Sequence, residues 1–374
     1  MGFEIRLPEN TITSAAERLR MNVPALAERI GVTEKKADKF AQGIMTRKQA
    51  EKLANLLEIP FGFLYLPDLP HASRGAEFPD FRTAHDAVPL NVDFFDTLAD
   101  IHRKLDWYAD YLQEMGEKER LPFVGKFNLQ DSIQPVVNDI RGTLGRVARN
   151  GSKEEYLRNL VHAFEQQGIL VFRNGIVGNA TRRKLDPQMF RGFAIADPYT
   201  PAIFINTNDA HAAQLFTLLH EAAHIWLGKS AVSAPTILRD NRTERFCNQA
   251  AAEFLLPKAE FLENWQERET LDVNLAALAK EFRVSEYVVA IKALEQDKIS
   301  AETFRQWQQR KKLPPLKKGT TGGGDFYKTL PVRNSRRLTD IVARAALERR
   351  ILLRDGARLL NTRPENVMTY LAKG

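Results

Sequence analysis

Two histidines and a glutamate, His220, Glu221 and His224, form the pattern His-Glu-x-x-His. The apolar periodicity around them predicts a helix over 209–227 that ends at Gly228. A spacing of four residues places the two imidazoles on one face of that helix, where they can bind one tetrahedral zinc ion. Glu221 is rotated about 100° from His220, so it can act as general base on a zinc-bound water without ligating the metal. The pattern therefore predicts zinc-dependent hydrolysis at a carbonyl carbon.

Two histidines do not complete such a site, because a catalytic zinc ion usually has three protein ligands and one position open to water. A second helix, predicted over 242–256, offers Glu244, Cys247, Asn248 and Glu253. Glu244 and Asn248 are four positions apart, so they share a face of that helix. The two glutamates are nine positions apart, about 180° around the helix, so only one can face the metal. The spacing from His224 leaves room for a turn and a returning helix, which favours Glu244. Glu253 and Cys247 remain alternatives.

Short apolar strands lie just before the histidine-bearing helix and must help to position it. They are predicted at 168–172, 192–195 and 202–205, after an amphipathic helix over 154–167. Elsewhere the chain has mainly helical patterns, including a helix-turn-helix pattern within 273–296. The fold class predicted is α+β, mostly α: an N-terminal five-helix domain, a central α+β domain with a short sheet, and a C-terminal helical tail.

Shifts in composition suggest four segments: an N-terminal domain (1–70), a helical connector (71–150), the α+β domain (151–310) and a basic helical region (311–374). Residues 67–79, rich in Pro, Gly, Ser and His, are predicted to be a linker. The Gly- and Lys-rich stretch 316–325 is predicted to be a flexible joint.

The composition is that of an ordinary globular protein, with 44% apolar and 27% charged residues among 374, which excludes disordered and collagen-like chains. No apolar run is long enough to span a bilayer, and the first residues lack the pattern of a signal peptide. The one cysteine, Cys247, allows no intrachain disulfide. We therefore expect a cytoplasmic protein with no membrane partner.

The net charge of +7 is unevenly distributed along the chain. Residues 310–374 carry 16 basic and 5 acidic side chains, whereas residues 1–309 carry 38 basic and 42 acidic ones. A basic region can attract nucleic acid or an acidic protein, and it can also be a merely soluble helical appendage.

The central segments resemble the ImmA/IrrE-type zinc metallopeptidases. The resemblance rests on FTLLHEAAH (216–224), GFAIADPYTPAIFIN (192–206) and ERFCNQAAAEFLLP (244–257), and it covers roughly residues 150–300. It implies a zincin-like domain with Zn²⁺ held by His220, His224 and Glu244, and Glu221 as catalytic residue. The chain departs from the common pattern at Phe246-Cys247 and at Leu256-Pro257, and neither departure removes a ligand.

The N-terminal segment resembles a lambda-repressor/Xre-type helix-turn-helix domain, through LAERIGVTEKKADKFAQG (26–43) and KQAEKLANLLEIP (48–60). In that motif residues 34–41 would be the recognition helix, and Lys35, Lys36 and Lys39 would contact DNA. Residues 1–66 carry 10 basic and 8 acidic side chains, a small electrostatic signal for nucleic acid, so a docking domain for protein is the alternative.

Together the resemblances imply a bacterial or mobile-element transcription regulator fused to a zinc endopeptidase that hydrolyses a peptide bond in a partner repressor. The alternative is a non-catalytic DNA-binding antitoxin and autoregulator that neutralises a cognate nuclease toxin. In the second case the basic C-terminal region would be a docking element for the toxin. A homodimer is expected for DNA binding, because paired half-sites need paired domains.

Overall fold

The computed structural model describes residues 4–8, 10–19, 21–57, 64–65, 90–149, 151–233, 242–310 and 325–373. The predicted linker (67–79) lies outside these residues, as does the predicted joint (316–325) apart from Asp325. The chain divides into two compact units, residues 1–77 and 78–374. Its described part is mostly helical with a small mixed sheet, which confirms the mostly α fold class. No helix in this part is both long and apolar enough to cross a membrane.

The first unit is a small helical domain with one strand pair. Its elements are β1 (Glu4–Arg6), α1 (Thr11–Arg18), α2 (Val23–Ile30), a 3-10 helix (Glu34–Lys36), α3 (Ala37–Ala41), β2 (Ile44–Thr46) and α4 (Arg47–Leu56). Asn22 caps α2 by accepting a hydrogen bond from Ala25 N at 2.9 Å. Gly31 ends α2 in the left-handed conformation, with φ 83°, and so turns the chain towards α3.

Two features of this unit differ from the prediction. The helix expected over 34–41 is a 3-10 turn followed by a short α-helix, because Lys36 leaves helical geometry at φ −115° and ψ 4°. β1 pairs antiparallel with β2, matching Glu4 with Thr46. Each of these strands has only three residues and its partner is some forty residues away, so neither shows a periodic signal of its own.

In the described residues of the second unit, three helices come before the strands, one lies between the last two strands, and the others follow them. The helices that precede, lie between or directly follow the strands are α5 (Val92–Met115), α6 (Ile133–Leu144), α7 (Lys153–Gln166), α8 (His211–Trp226) and α9 (Arg242–Leu255). They are followed by α10 (Lys258–Asn264), α11 (Leu271–Glu281), α12 (Glu286–Glu295) and α13 (Ala301–Arg310). The last four are α14 (Phe326–Arg333), α15 (Arg336–Leu347), α16 (Leu353–Leu359) and α17 (Pro364–Lys373).

A four-stranded mixed sheet lies at the centre of this unit. The described strands of the second unit, four of which form this sheet, are β3 (Leu170–Asn174), β4 (Ile176–Val177), β5 (Ala180–Lys184), β6 (Gly192–Ile195), β7 (Ala202–Asn206) and β8 (Ala231–Ser233). The order in the sheet is β3-β7-β6-β8, and β4 and β5 form a separate hairpin. β3 runs parallel to β7, whereas β6 is antiparallel to both β7 and β8.

Both faces of the sheet are buried, which explains why its strands are continuously apolar. Alternate side chains enter two hydrophobic clusters. Val171, Ala194, Ile203 and Ile205 point to the side of α6–α9 and α11–α13. Phe172, Phe193, Phe204 and their neighbours point to the side of α5 and α14–α17. The unit therefore has three layers, with the sheet in the middle.

The C-terminal region is helical, as predicted, and it is packed against the sheet domain. Leu330, Leu338 and Val342 lie in the same apolar cluster as the sheet phenylalanines. At the start of α15, Ser335 Oγ and Arg336 N donate hydrogen bonds, at 2.5 Å and 2.9 Å, to the buried carboxylate of Glu165. The described part of the basic region, residues 325–373, thus packs as one layer on the sheet.

Candidate metal centre

α8 carries the His-Glu-x-x-His pattern and is buried along most of its length. Its C-terminal end is held by an irregular segment: Gly125 N donates to Ile225 O at 3.0 Å, and Phe127 N donates to Trp226 O at 3.1 Å. Gly228 lies against this segment, where a Cβ would come within 2.9 Å of Gly125 Cα. These contacts satisfy two carbonyls at the helix end and fix the helix against its neighbours.

His220, His224 and Glu244 meet in the interior, with ligand atoms all within 4.8 Å of one another. Glu244 reaches across from α9, placing Oε2 3.1 Å from His220 Nε2 and Oε1 3.2 Å from His224 Nε2. The two Nε2 atoms are 3.1 Å apart. Two imidazole nitrogens and a carboxylate are donors that zinc commonly takes in open catalytic sites, so these residues fit a zinc ion.

The charges of the three groups are strongly coupled. Burial disfavours the Glu244 carboxylate, yet its contacts with both histidines hold its pKa well below the usual range. Burial also opposes a charge on His220, but Glu244 outweighs it and the pKa of His220 is raised. The pKa of His224 is lowered, mainly by burial. The carboxylate is therefore ionised, and at least one imidazole stays neutral and available as a ligand.

Glu221 lies beside this group without belonging to it. The side chain is fully buried, and both carboxylate oxygens lack a hydrogen-bond partner among the described residues. Burial raises the pKa of Glu221 to about 8, an effect that His220 and the nearby Ser233 hydroxyl only partly oppose. An unpartnered buried carboxyl group of this kind is typical of a functional site.

The strand β6 approaches Glu221 closely because residue 192 is a glycine. A Cβ on Gly192 would lie 2.6 Å from Phe204 O and from Thr217 Cγ2, and 3.2 Å from Glu221 Oε1. Gly192 is paired with Ser233 on β8. The sequence predicts Gly192 as the start of a strand but not its close approach to Glu221, and it does not indicate Ser233, because β8 has three residues and only pairing identifies it as a strand.

The remaining nitrogen of His220 has its own partner. His220 Nδ1 lies 3.0 Å from Asn248 Oδ1, on α9 one turn after Glu244. An Nδ1–H donated to this amide oxygen leaves Nε2 as the lone-pair nitrogen facing Glu244. The spacing of four residues had placed Asn248 on the same helical face as Glu244, but it had not indicated this positioning contact.

The structure places the alternative third ligands elsewhere. Glu253 forms a buried ion pair with Lys292 on α12 at 2.6 Å, and it accepts from Lys258 N at 3.2 Å. Cys247 is buried and lies outside the group of metal-ligating atoms; burial raises the pKa of its thiol well above the ordinary value. The predicted helix pair within 273–296 corresponds to α11 and α12. Its second helix packs against α9, where Lys292 pairs with Glu253.

An aromatic contact links the centre to α12. Phe216, one turn before His220, lies 6.2 Å from the His220 ring and 6.4 Å from the Tyr287 ring, measured between centroids. Burial raises the pKa of the Tyr287 hydroxyl, an effect that the nearby Arg191 partly opposes. No spacing in the sequence connects Tyr287 with the histidines.

The three lysines predicted to contact DNA lie in the first unit. Lys35 and Lys36 are exposed on the 3-10 helix, and Lys39 is exposed on α3. All three lysines lie within five residues of one another, in the segment that follows the left-handed Gly31.

Two parts of the chain match known protein families. Residues 334–373 match a domain of unknown function (DUF8813), and they span α15 to α17. A comparison with curated proteins found no match. Residues 164–294 match the Peptidase_M78 family, described as the IrrE N-terminal-like domain. The central part of the chain, from the end of α7 to α12, is therefore similar to the IrrE N-terminal-like metallopeptidases.

Proposed function

We propose that the second unit is a zinc-dependent endopeptidase and that its substrate is a partner repressor. The observation that carries the proposal is the meeting of His220, His224 and Glu244 around one point, with the unpartnered carboxyl of Glu221 beside them. Similarity of residues 164–294 to a metallopeptidase family supports the same reaction class, and that family is typically zinc-dependent.

The residues of the site have separate roles in this proposal. His220, His224 and Glu244 hold the zinc ion, and Asn248 orients the first of them. A bound zinc ion would act as a Lewis acid that polarises a peptide carbonyl and acidifies water. Glu221 takes the proton of the attacking water and gives it to the leaving amine. Burial raises the pKa of Glu221 to about 8, and the positive charge of a bound metal ion would oppose that shift and favour the carboxylate form.

The first unit supplies DNA binding in this proposal. Its support is the turn at Gly31 between α2 and the following helices, which exposes Lys35, Lys36 and Lys39. A recognition helix of this kind contacts base edges with its first residues and phosphates with its lysines. The whole chain would then be a transcription regulator, homodimeric on paired half-sites, that also carries a peptidase acting on a partner repressor.

A second candidate is a non-catalytic antitoxin that binds DNA and neutralises a nuclease toxin. The observation that favours it is burial of the centre: His220 and Glu244 are 4% and 6% exposed, and His224 and Glu221 are fully buried. A peptide must reach these groups for hydrolysis, whereas a structural zinc ion needs no access.

Co-expression with the product of the adjoining reading frame separates the two candidates. A peptidase cuts a neighbouring repressor, and Glu221→Gln abolishes the cut while zinc stays bound. The matched control is Glu302→Gln on α13, whose carboxylate is exposed. Cleavage by Glu221→Gln at the wild-type rate would refute the assignment of the base. Neutralisation of a neighbouring nuclease by both variants, without cleavage, would support the antitoxin.

A further inference from the structure

The last two helices of the chain form a helix-turn-helix. α16 and α17 are joined by a four-residue turn, residues 360–363, in which Asn361 is left-handed at φ 51°. Thr362 N donates to Ala357 O at 2.8 Å and Asn361 N donates to Arg358 O at 3.2 Å, so the turn closes α16 with two backbone hydrogen bonds. A short turn between two helices occurs in DNA-binding helix-turn-helix motifs and also in ordinary helical hairpins, so exposure and charge have to decide between them.

α15 completes a three-helix unit by packing closely on α16. A Cβ on Gly356 would meet Ile351 Cδ1 at 3.3 Å and Val342 Cγ1 at 3.4 Å, so the glycine permits the close approach. Leu360 and Val367 are fully buried and fix the turn and α17 to the same core. The orientation of α17 is therefore set by packing.

The three helices α15, α16 and α17 are also held against the sheet domain by hydrogen bonds next to the turn. Asn179, at the tip of the β4–β5 hairpin, donates its side-chain amide to Asn361 O. Arg333 Nη1 donates to Asn179 Oδ1 at 2.7 Å, and Asn361 Nδ2 donates to Asp100 Oδ2 at 2.8 Å. The second helix is thereby presented at a fixed place on the surface.

α17 keeps one face open to solvent. Glu365, Met368 and Ala372 are exposed along it, and Val367 anchors the opposite face. Glutamate can accept from cytosine N4, and apolar side chains can contact the methyl group of thymine. This face therefore has side chains suited to base edges in a major groove.

Basic side chains are exposed on the neighbouring helix α16 and in the turn that leads into α17. Arg354 and Arg358 are exposed one turn apart on α16, and Arg363 is exposed in the turn. Among the residues that the structure describes, Arg358 and Arg363 have no ion-pair partner, and Arg354 has only a contact at 3.7 Å with Asp355. Residues 325–373 carry 11 basic and 5 acidic side chains, so the unit has the charge that phosphate backbones attract.

The other helix-turn-helix pattern within residues 78–374 lacks the exposed second helix and the unpaired arginines. α11 and α12 are also joined by four residues, with Arg283 left-handed at φ 57°. No residue of α12 is exposed, and its lysine, Lys292, is buried against Glu253. The shape of the turn alone does not distinguish the two pairs, whereas exposure and free positive charge single out α16–α17.

We propose that α16–α17 bind double-stranded DNA, with α17 in the major groove and Arg354, Arg358 and Arg363 on phosphates. The proposal gives residues 334–373, which match a domain of unknown function, a nucleic-acid-binding role. It does not depend on the metal centre or on the first unit. The chain would then carry two separate DNA-binding surfaces.

Fluorescence anisotropy of the full chain with a labelled 30-base-pair duplex of random sequence tests this surface. The parent protein carries Lys35→Ala, Lys36→Ala and Lys39→Ala, which removes the lysines of the first unit from the measurement. Arg358→Ala with Arg363→Ala is added to this parent and compared with Arg305→Ala plus Arg310→Ala. The control arginines are also exposed, with side-chain exposures of 67% and 63% on α13.

We expect the parent and the control pair to bind the duplex with the same salt dependence. The Arg358 and Arg363 pair should lower the slope of log affinity against log salt by about two, since each phosphate contact contributes about 0.9. The gain in affinity on lowering NaCl from 200 to 50 mM then shrinks about tenfold. Equal melting temperatures of the two pairs show that folding is unchanged.

Two results would overturn the proposal. One is a parent protein that fails to bind the duplex at 50 mM NaCl, or an Arg358 and Arg363 pair that binds as the control pair does. The other is tighter binding of labelled polyglutamate than of the duplex at the same salt, which would assign the surface to an acidic protein partner.

Discussion

Asn248 Oδ1 and His220 Nδ1 lie 3.0 Å apart, on the side of the imidazole away from Glu244. Both Asn248 and Glu244 project from α9, one turn apart, so a single helix contacts the ring from two sides. The Asn248 amide thus fixes the orientation of the His220 ring, whose other nitrogen faces Glu244 in the candidate metal centre.

Replacing Asn248 by alanine should weaken metal binding without removing a ligand. Loss of such an orienting hydrogen bond typically costs about 10–100-fold in metal affinity. Competition with a zinc chelator measures the change, and Gln249→Ala, an exposed neighbour on α9, is the control. An Asn248→Ala protein with wild-type zinc affinity would show that the contact does not position the ring.

The two glutamates of α9 should respond oppositely to truncation. Glu244→Ala is expected to lose bound zinc, because one of three ligands is missing. Glu253→Ala should retain zinc but unfold more easily by about 3 kcal/mol, because Lys292 is left buried with a weakened set of partners. Elemental analysis and urea unfolding measure the two effects. Full zinc content in Glu244→Ala would contradict the ligand assignment.

Gly192 should not tolerate a side chain. Its Cβ would overlap Phe204 O and Thr217 Cγ2 at 2.6 Å, so Gly192→Ala should lower the unfolding free energy by about 1–3 kcal/mol. It should also displace Glu221 and reduce peptidase activity. Gly142→Ala in α6, where a Cβ meets nothing within 4 Å, should instead stabilise by about 0.5–1 kcal/mol. Equal stabilities of the two variants would contradict the close approach of β6.

Glu165 should make stability depend on pH. Burial raises the pKa of its carboxyl in the folded protein, although hydrogen bonds from Ser335 and Arg336 oppose the shift. The native state therefore binds this proton more tightly than the unfolded state does, and the unfolding free energy falls as pH rises above the ordinary glutamate value.

Glu165→Gln removes this titration while keeping an acceptor oxygen for Ser335. The unfolding free energy of the wild type minus that of the variant should decrease as pH rises above the ordinary glutamate pKa. Urea unfolding at several pH values measures it, and the exposed Glu302→Gln should show a constant difference. A difference that grows with pH would show that the hydrogen bonds outweigh burial.

The local parts of this structure could be predicted from sequence. α8 runs over His211–Trp226 within the predicted 209–227, and β6 has the predicted bounds, Gly192–Ile195. Continuous apolar runs and helix-ending residues carry this information within a few neighbouring positions. The fourfold spacing of His220 and His224 is likewise local.

Features that depend on distant pairing could not be predicted. β8 covers only Ala231–Ser233, and its identity comes from pairing with β6. β5 is largely exposed, so no apolar alternation indicates it. The packing of α15 on the sheet depends on Leu338 and Val342 meeting phenylalanines more than a hundred residues away. Similarly, residue 192 must be a glycine because Phe204, Thr217 and Glu221, which are distant in sequence, lie close to it in the fold.

The two-sided burial of the sheet has a practical consequence for fragments of this protein. The segment that matches the peptidase family starts at residue 164, near the end of α7, and includes neither α5 nor α14–α17. A recombinant fragment with those limits would leave Phe172, Phe193 and Phe204 facing water and would be prone to self-association. A minimal fragment that keeps the sheet covered therefore has to extend at both ends, to α5 and to α17.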